Sequence, residues 1–133
     1  MTKGQVEARL SEAISKFEIE HMGRGPEKIR TIIFNDLIII RLKGFLSISE
    51  KNLAQTKEGI DLVKRLRTAL FEGSRDRLEE TVKSVLDVNI VSTYSDVSTK
   101  TGEKIIAIVV DRDIEKHINM QEDILKGHRP VKL

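Results

Sequence analysis

The chain has 133 residues, 39% of them hydrophobic and 33% charged, with a formal net charge of +2. That profile fits one globular domain with a core of its own; it is too apolar for disorder and too balanced for a polyanion-binding tail. Cysteine and tryptophan are absent and aromatics make up only 4%, which excludes disulfides, thiolate nucleophiles and iron–sulfur sites and leaves a core of Ile, Leu and Val.

Residues from about Thr2 to Met22 read as a helix, because Val6, Leu10, Ala13, Ile14 and Phe17 form one apolar stripe at helical spacing. Gly23, Gly25 and Pro26 stop it, since glycine accepts left-handed dihedrals and proline disfavours helical geometry before it. Ile29–Phe34 and Leu37–Phe45 follow as β-runs, joined by Asn35-Asp36, two residues that tolerate positive φ in a tight hairpin. In the second run Ile38, Ile40, Leu42 and Gly44 read as the core face, and Leu37, Ile39, Arg41, Lys43 and Phe45 as a partly covered one.

Ser47-Ile-Ser-Glu50 has capping-box spacing and predicts a short helix to about Gln55. A longer helix starts at Thr56 or Glu58, with Ile60, Val63, Leu66, Leu70 and Phe71 inward, and ends at Gly73. Another covers about Arg75–Leu86, burying Leu78, Val82, Val85 and Leu86; Gly59 and Gly73 leave the number of helices open. Val88–Val97 and Glu103–Val110 read as a second strand pair turned at Thr101-Gly102, with Asp96 on the Tyr94 side. A short helix around Glu115–Leu125 and a mobile, basic tail from Gly127 complete the chain. The order α-ββ-αα-ββ predicts an α+β fold of two layers, with helices packed on a mostly antiparallel four-stranded sheet.

Function classes narrow quickly. The apolar runs Leu37–Ile40 and Ile105–Val110 fall far short of the roughly 20 residues of a spanning helix, and the N-terminus meets charge too early for a secretory segment. The expectation is a cytoplasmic chain that does not itself span a membrane. His21, His117 and His128 are scattered, with no H-x-x-x-H pair, so neither metal nor cofactor is expected. The hydroxyls of Ser92, Thr93, Ser95, Ser98 and Thr99 have no base placed beside them, so no catalytic residues are assigned. Stacking aromatics on a sheet face reduce to Tyr94, and no basic stripe appears, which argues against nucleic acid.

Gly23-Arg-Gly-Pro26 and Lys100-Thr-Gly-Glu-Lys104 both suggest phosphate loops and both fail on spacing and context. Arg24 beside two glycines still leaves an anion site physically possible. Residues 24–46 carry five cations against two acids. Arg41 and Lys43 on one strand face read either as snorkelling edge charges or as an anion-binding face or a dimer salt bridge to Asp96.

Met22-Gly-Arg-Gly-Pro26, Arg41-Leu-Lys-Gly44, Phe45-Leu46 before Ser49-Glu50-Lys51, Leu53-Ala54, Glu58-Gly59 and Ser95–Glu103 occur in this order. Together they resemble the MpsC-type family over about residues 3–112. The chain thus divides into a domain at 1–112 and a C-terminal helix and tail at 113–133. The resemblance implies an accessory component of a sodium-translocating, membrane-potential-generating system whose membrane partners are linked to inorganic-carbon uptake; it carries over no catalytic residue. The expected function is therefore non-enzymatic and accessory or regulatory. It would act through protein contacts as a homo-oligomer with paired strand edges, with a membrane transporter subunit as a further partner. Arg24, Arg41, Asp96, Thr99 and Glu103 are the candidate partner- or anion-binding residues. The alternative is a small-ligand or anion sensor in which Arg24, Arg41, Asp96 and Thr99 converge on one pocket.

Overall fold

The computed structural model describes residues 1–125; the expected mobile tail from Gly127 lies outside them. Helix α1 (Lys3–Met22) opens with a capping box. Thr2 Oγ1 accepts from the Gln5 amide, and Gln5 Oε1 takes the Thr2 amide. It ends where Gly23 turns left-handed at φ 78°. Strands β1 (Lys28–Phe34) and β2 (Leu37–Lys43) form the expected hairpin, with Asn35 at φ 55°.

Gly44, at φ 67°, then breaks the alternation of β2. Phe45, expected on the partly covered face, is instead buried, as is Leu46 after it. The reversal leads into α2 (Ile48–Leu53), which is capped reciprocally by Ser47 and Glu50 as the spacing predicts. Helix α3 runs unbroken from Lys57 to Val85, through both Gly59 and Gly73. Gly73 is exposed and meets nothing, so it costs only its propensity, about 1 kcal/mol. Gly59 is different: a Cβ there would lie 1.6 Å from the Leu53 carbonyl oxygen. The close approach of α2 to the first turn of α3 therefore requires glycine.

Strands β3 (Ile90–Ser98) and β4 (Glu103–Val110) turn at Gly102, φ 71°. A bulge at Val91 shifts the register between Ile90 and Ser92. The sheet order is β1-β2-β4-β3, every pair antiparallel. Helix α4 (Ile114–Leu125) closes the described chain: Ile114 and Ile118 join the core, and Lys3 Nζ reaches Glu115 at 2.6 Å.

Helices α1 and α3 cover one face of this sheet. Beneath them Ile33, Ile38, Ile40, Leu42, Ile106 and Ile108 are fully buried against Leu10, Ile14, Leu78 and Val82. A smaller cluster of Phe45, Leu46, Val63 and Val97 fills the end under the first half of α3. There the inward line of the helix runs Val63, Arg67, Phe71 and then Leu78. Arg67 holds its guanidinium 4.8 Å from the Phe45 ring centroid, so it occupies the space assigned above to Leu66 and Leu70. Those two leucines, with Leu62, face outward.

Candidate functional site

The second face of the sheet carries no helix among the described residues, because both long helices follow the single buried stripe of each strand. The register sets out its composition in rungs. Phe34, Leu37, Val109 and Ser92 form one; Ile32, Ile39, Ala107 and Tyr94 the next; Arg30, Arg41, Ile105 and Asp96 the third. The face ends on Lys28 opposite Lys43, and Ser98 opposite Glu103. Half of the surface is thus apolar and open: Phe34 is 64% exposed, Tyr94 61% and Ile32 41%. The other half is charged and divided by sign, basic on β1 and β2, acidic on β3 and β4.

The electrostatics of the charged half are unbalanced. Two consecutive cross-strand pairs, Lys28 with Lys43 and Arg30 with Arg41, place like charges directly opposite one another, an arrangement that destabilises a sheet. They surround a shallow hollow of about 370 Å³. Arg41 Nε donates to Glu103 Oε2 at 2.9 Å; among the described residues no ion pair reaches Lys28, Arg30 or Lys43.

Of the five residues singled out from sequence, Arg41 and Glu103 are brought into contact, and Asp96 shares the rung of Arg41 two strands away. Asp96 accepts from the Val97 amide at 2.8 Å and lies 3.9 Å from Lys64 Nζ. Arg24 does not join them. Its guanidinium donates to the carbonyls of Leu46 (3.1 Å) and Gly44 (3.4 Å), stapling the loop after α1 to the turn after β2. Thr99 sits half-buried in the β3–β4 turn. The four-residue pocket of Arg24, Arg41, Asp96 and Thr99 is therefore not assembled.

Among the ionic contacts that no local motif announces, two are largely buried. Lys104 Nζ donates to Glu18 Oε1 at 2.9 Å with both side chains almost wholly buried, 3% and 1% exposed. The ammonium lies about 6 Å from the Phe45 and Phe71 ring centroids, 6.0 and 5.9 Å respectively. Glu18 falls on the continuation of Leu10 and Ile14 at four-residue steps, a signal that the position is inward. The second contact is the pairing of Glu50 with Arg67, whose Nε donates to Oε2 at 2.7 Å. Burial pushes the Glu50 carboxyl up, but the Arg67 bonds and the Ser47 amide outweigh it and hold the group below its ordinary range. A second hollow, of about 220 Å³, lies between α3 and β3 beside Lys64, Arg67 and Arg75. Each of these cations is already held by a carboxylate, Asp96, Glu50 and Glu72 in turn.

The model of one family, described as the Na+-translocating membrane potential-generating system (MpsC), matches residues 2–112. The chain belongs to the MpsC family. It is similar to the uncharacterized protein YbcI of Bacillus subtilis strain 168, at 31% identity over 117 residues, 88% of this chain and 94% of that protein. It also resembles the uncharacterized protein YrhF of the same organism, at 29% identity over 108 residues, 80% and 88% of the two chains. No solved structure matches it. The matched span covers all four strands and α1 to α3 and ends just before α4. No described helix is long and apolar enough to cross a membrane.

Proposed function

We propose that this chain is a non-enzymatic accessory or regulatory domain of the MpsC type that works in the cytoplasm by protein–protein contact, as an oligomer and against a membrane subunit of a cation- or inorganic-carbon-transport system. The observation that carries the reading is the open sheet face, with Ile32, Phe34 and Tyr94 exposed beside a band of charge. An exposed apolar patch rimmed by polar residues is the mark of an interaction surface. The family description supplies the direction toward a membrane system. The candidate residues Arg41, Asp96 and Glu103 lie on this face and so belong to its rim, while Arg24 supports it structurally.

Co-purification of the tagged chain from detergent-solubilised membranes tests the reading. The double variant Ile32→Glu, Tyr94→Glu should lose the membrane subunit, and Leu66→Glu, on the outward side of α3, should retain it. Retention by the first variant would overturn the assignment of the face. A second reading, an anion sensor, draws on the basic corner of Lys28, Arg30, Arg41 and Lys43. Under it bicarbonate, phosphate or a nucleotide would raise the melting temperature, and a flat response would remove it.

A further inference from the structure

We infer that the partner seated on the open sheet face is a second copy of the same face, related by a twofold axis that runs along the strands between β2 and β4. This deepens the contact-surface reading above and rests on it: the face makes the oligomer, and the membrane subunit is recognised by the assembled pair and lost with it.

The two apolar rungs of the face require an apolar cover, and its opposed cations, Lys28 with Lys43 and Arg30 with Arg41, require acids. The face itself carries an apolar cover and two acids in mirrored places: Glu103, which within one chain takes Arg41, and Asp96, 3.9 Å from the half-exposed Lys64, so that each would share its carboxylate with the second copy. Rotation about the stated axis lays β1 over the partner's β3 and β2 over the partner's β4, rung on rung. Ile32 then meets the partner's Tyr94, and Ile39 meets the partner's Ala107, large against small. Arg30 meets the partner's Asp96, and Lys43 meets the partner's Glu103. A twofold axis across the strands does the opposite: it places the apolar rungs on the charged ones and the basic strands on each other. Of the two, only the first joins apolar rung to apolar rung and sets two cations on acids; it leaves Arg41, held by its own Glu103, over the partner's Ile105.

The edges of the sheet offer a poorer route. On β1 the Ile33 amide donates to Glu7 Oε2 at 2.8 Å. On β3 the Val97 amide is taken by Asp96. Side chains thus occupy groups that strand addition at an edge would need. The face, by contrast, spans four strands of at least seven residues, roughly 19 Å by 23 Å. Two of them bury on the order of 1,000 Å², the threshold of a specific interface. Aligned sheets stack in this way within about 30° of one another.

Sedimentation of the full chain, across concentrations up to about 0.1 mM, tests the proposal. The wild type should be a concentration-dependent dimer. Arg30→Asp and Asp96→Arg should each weaken it at least tenfold by placing like charges in contact. Mixing these two variants should restore a dimer, because the heterodimer holds one native and one exchanged pair. Both residues are exposed, and melting temperatures equal to the wild type's in solutions too dilute for association will show that the variants are folded. Ile32→Ala gives a second, charge-independent way to weaken the contact, through the apolar rung.

A wild type that stays monomeric, or a mixture that does not pair, overturns the dimer. If the wild type is a monomer while Ile32→Glu, Tyr94→Glu still loses the membrane subunit, the dimer falls and the contact surface stands. If that double variant remains dimeric, the dimer on this face falls; if it also retains the membrane subunit, both fall. A monomer whose melting temperature rises with inorganic phosphate assigns the basic corner to a small anion and overturns the dimer.

Discussion

The two faces of this sheet are built from alternate residues of the same strands, and they differ in what their apolar groups accomplish. On β4, Lys104, Ile106, Ile108 and Val110 are buried beneath the helices, whereas Glu103, Ile105, Ala107 and Val109 are only partly covered. Each face also holds an ion pair from neighbouring residues of that strand. Lys104 is sealed against Glu18, and Glu103 meets Arg41 with its partner half exposed. The covered face thus carries the fold. The open face keeps two apolar rungs exposed while contributing little to the core, and a patch of that kind is kept for contact.

The largest expected effect lies in the buried ion pair. Glu18→Ala strands the Lys104 ammonium among Phe45 and Phe71 and should cost about 3–5 kcal/mol in urea unfolding. Replacing both partners, Glu18→Leu with Lys104→Met, should recover most of that loss, since an apolar pair of similar volume needs no compensation. A small loss from Glu18→Ala would mean that the covered face is wetter than its burial indicates. Removing Arg41 from the open pair should cost no more than about 1 kcal/mol.

Adjacent positions on β4 sharpen the contrast. Ile106→Ala opens a cavity in the core and should cost about 2–5 kcal/mol. Ile105→Ala, one residue earlier on the other face, should cost less than half as much at concentrations too low for association, and more once the face is covered. Equal losses in dilute solution would show that the open face already carries the fold of the single chain.

The third effect concerns pH and the far end of the covered layer. Glu50 is held below its ordinary range by Arg67, so its charged form belongs to the folded state. The stability it adds is complete above the unfolded glutamate value, near about 4.3, and is lost as pH falls through the lower folded value. Glu50→Gln should remove a contribution of about 1.5–3 kcal/mol at neutral pH and flatten the acid limb of the stability curve. An unchanged acid limb would place the titrating groups elsewhere.

How far the residues announce this arrangement depends on the range of each interaction. The stop at Gly23, the Asn35-Asp36 hairpin and the Ser47–Glu50 cap were legible because each is closed within a few residues by backbone geometry or a local hydrogen bond. The open face of β2 was legible too, from Arg41 and Lys43 among aliphatic residues. Phe45 was misplaced because alternation holds only to Gly44, whose left-handed turn redirects the chain. The bulge at Val91 likewise breaks a period that sequence alone continues. Leu66 and Leu70 were placed inward because Arg67 does not look like a core residue until Glu50 and Phe45 are seen around it. The Glu18–Lys104 pair joins residues 86 apart, and Arg24 is bound to backbone carbonyls that no side-chain motif records.

The smallest effect comes from the like-charge pairs, and it tests whether the open face is tuned for a partner rather than for stability. Lys28 stands opposite Lys43 with Arg30 and Arg41 on the adjacent rung. Lys28→Thr removes one repulsion and introduces a good strand former, so the isolated chain should gain about 0.2–1 kcal/mol. Added salt should stabilise the wild type more than the variant, because screening acts on exposed charges. The same substitution leaves the proposed Arg30–Asp96 and Lys43–Glu103 contacts in place, so dimer affinity should change little. A loss of stability in Lys28→Thr would mean that the basic corner is satisfied within one chain, and the case for an acidic cover would weaken with it.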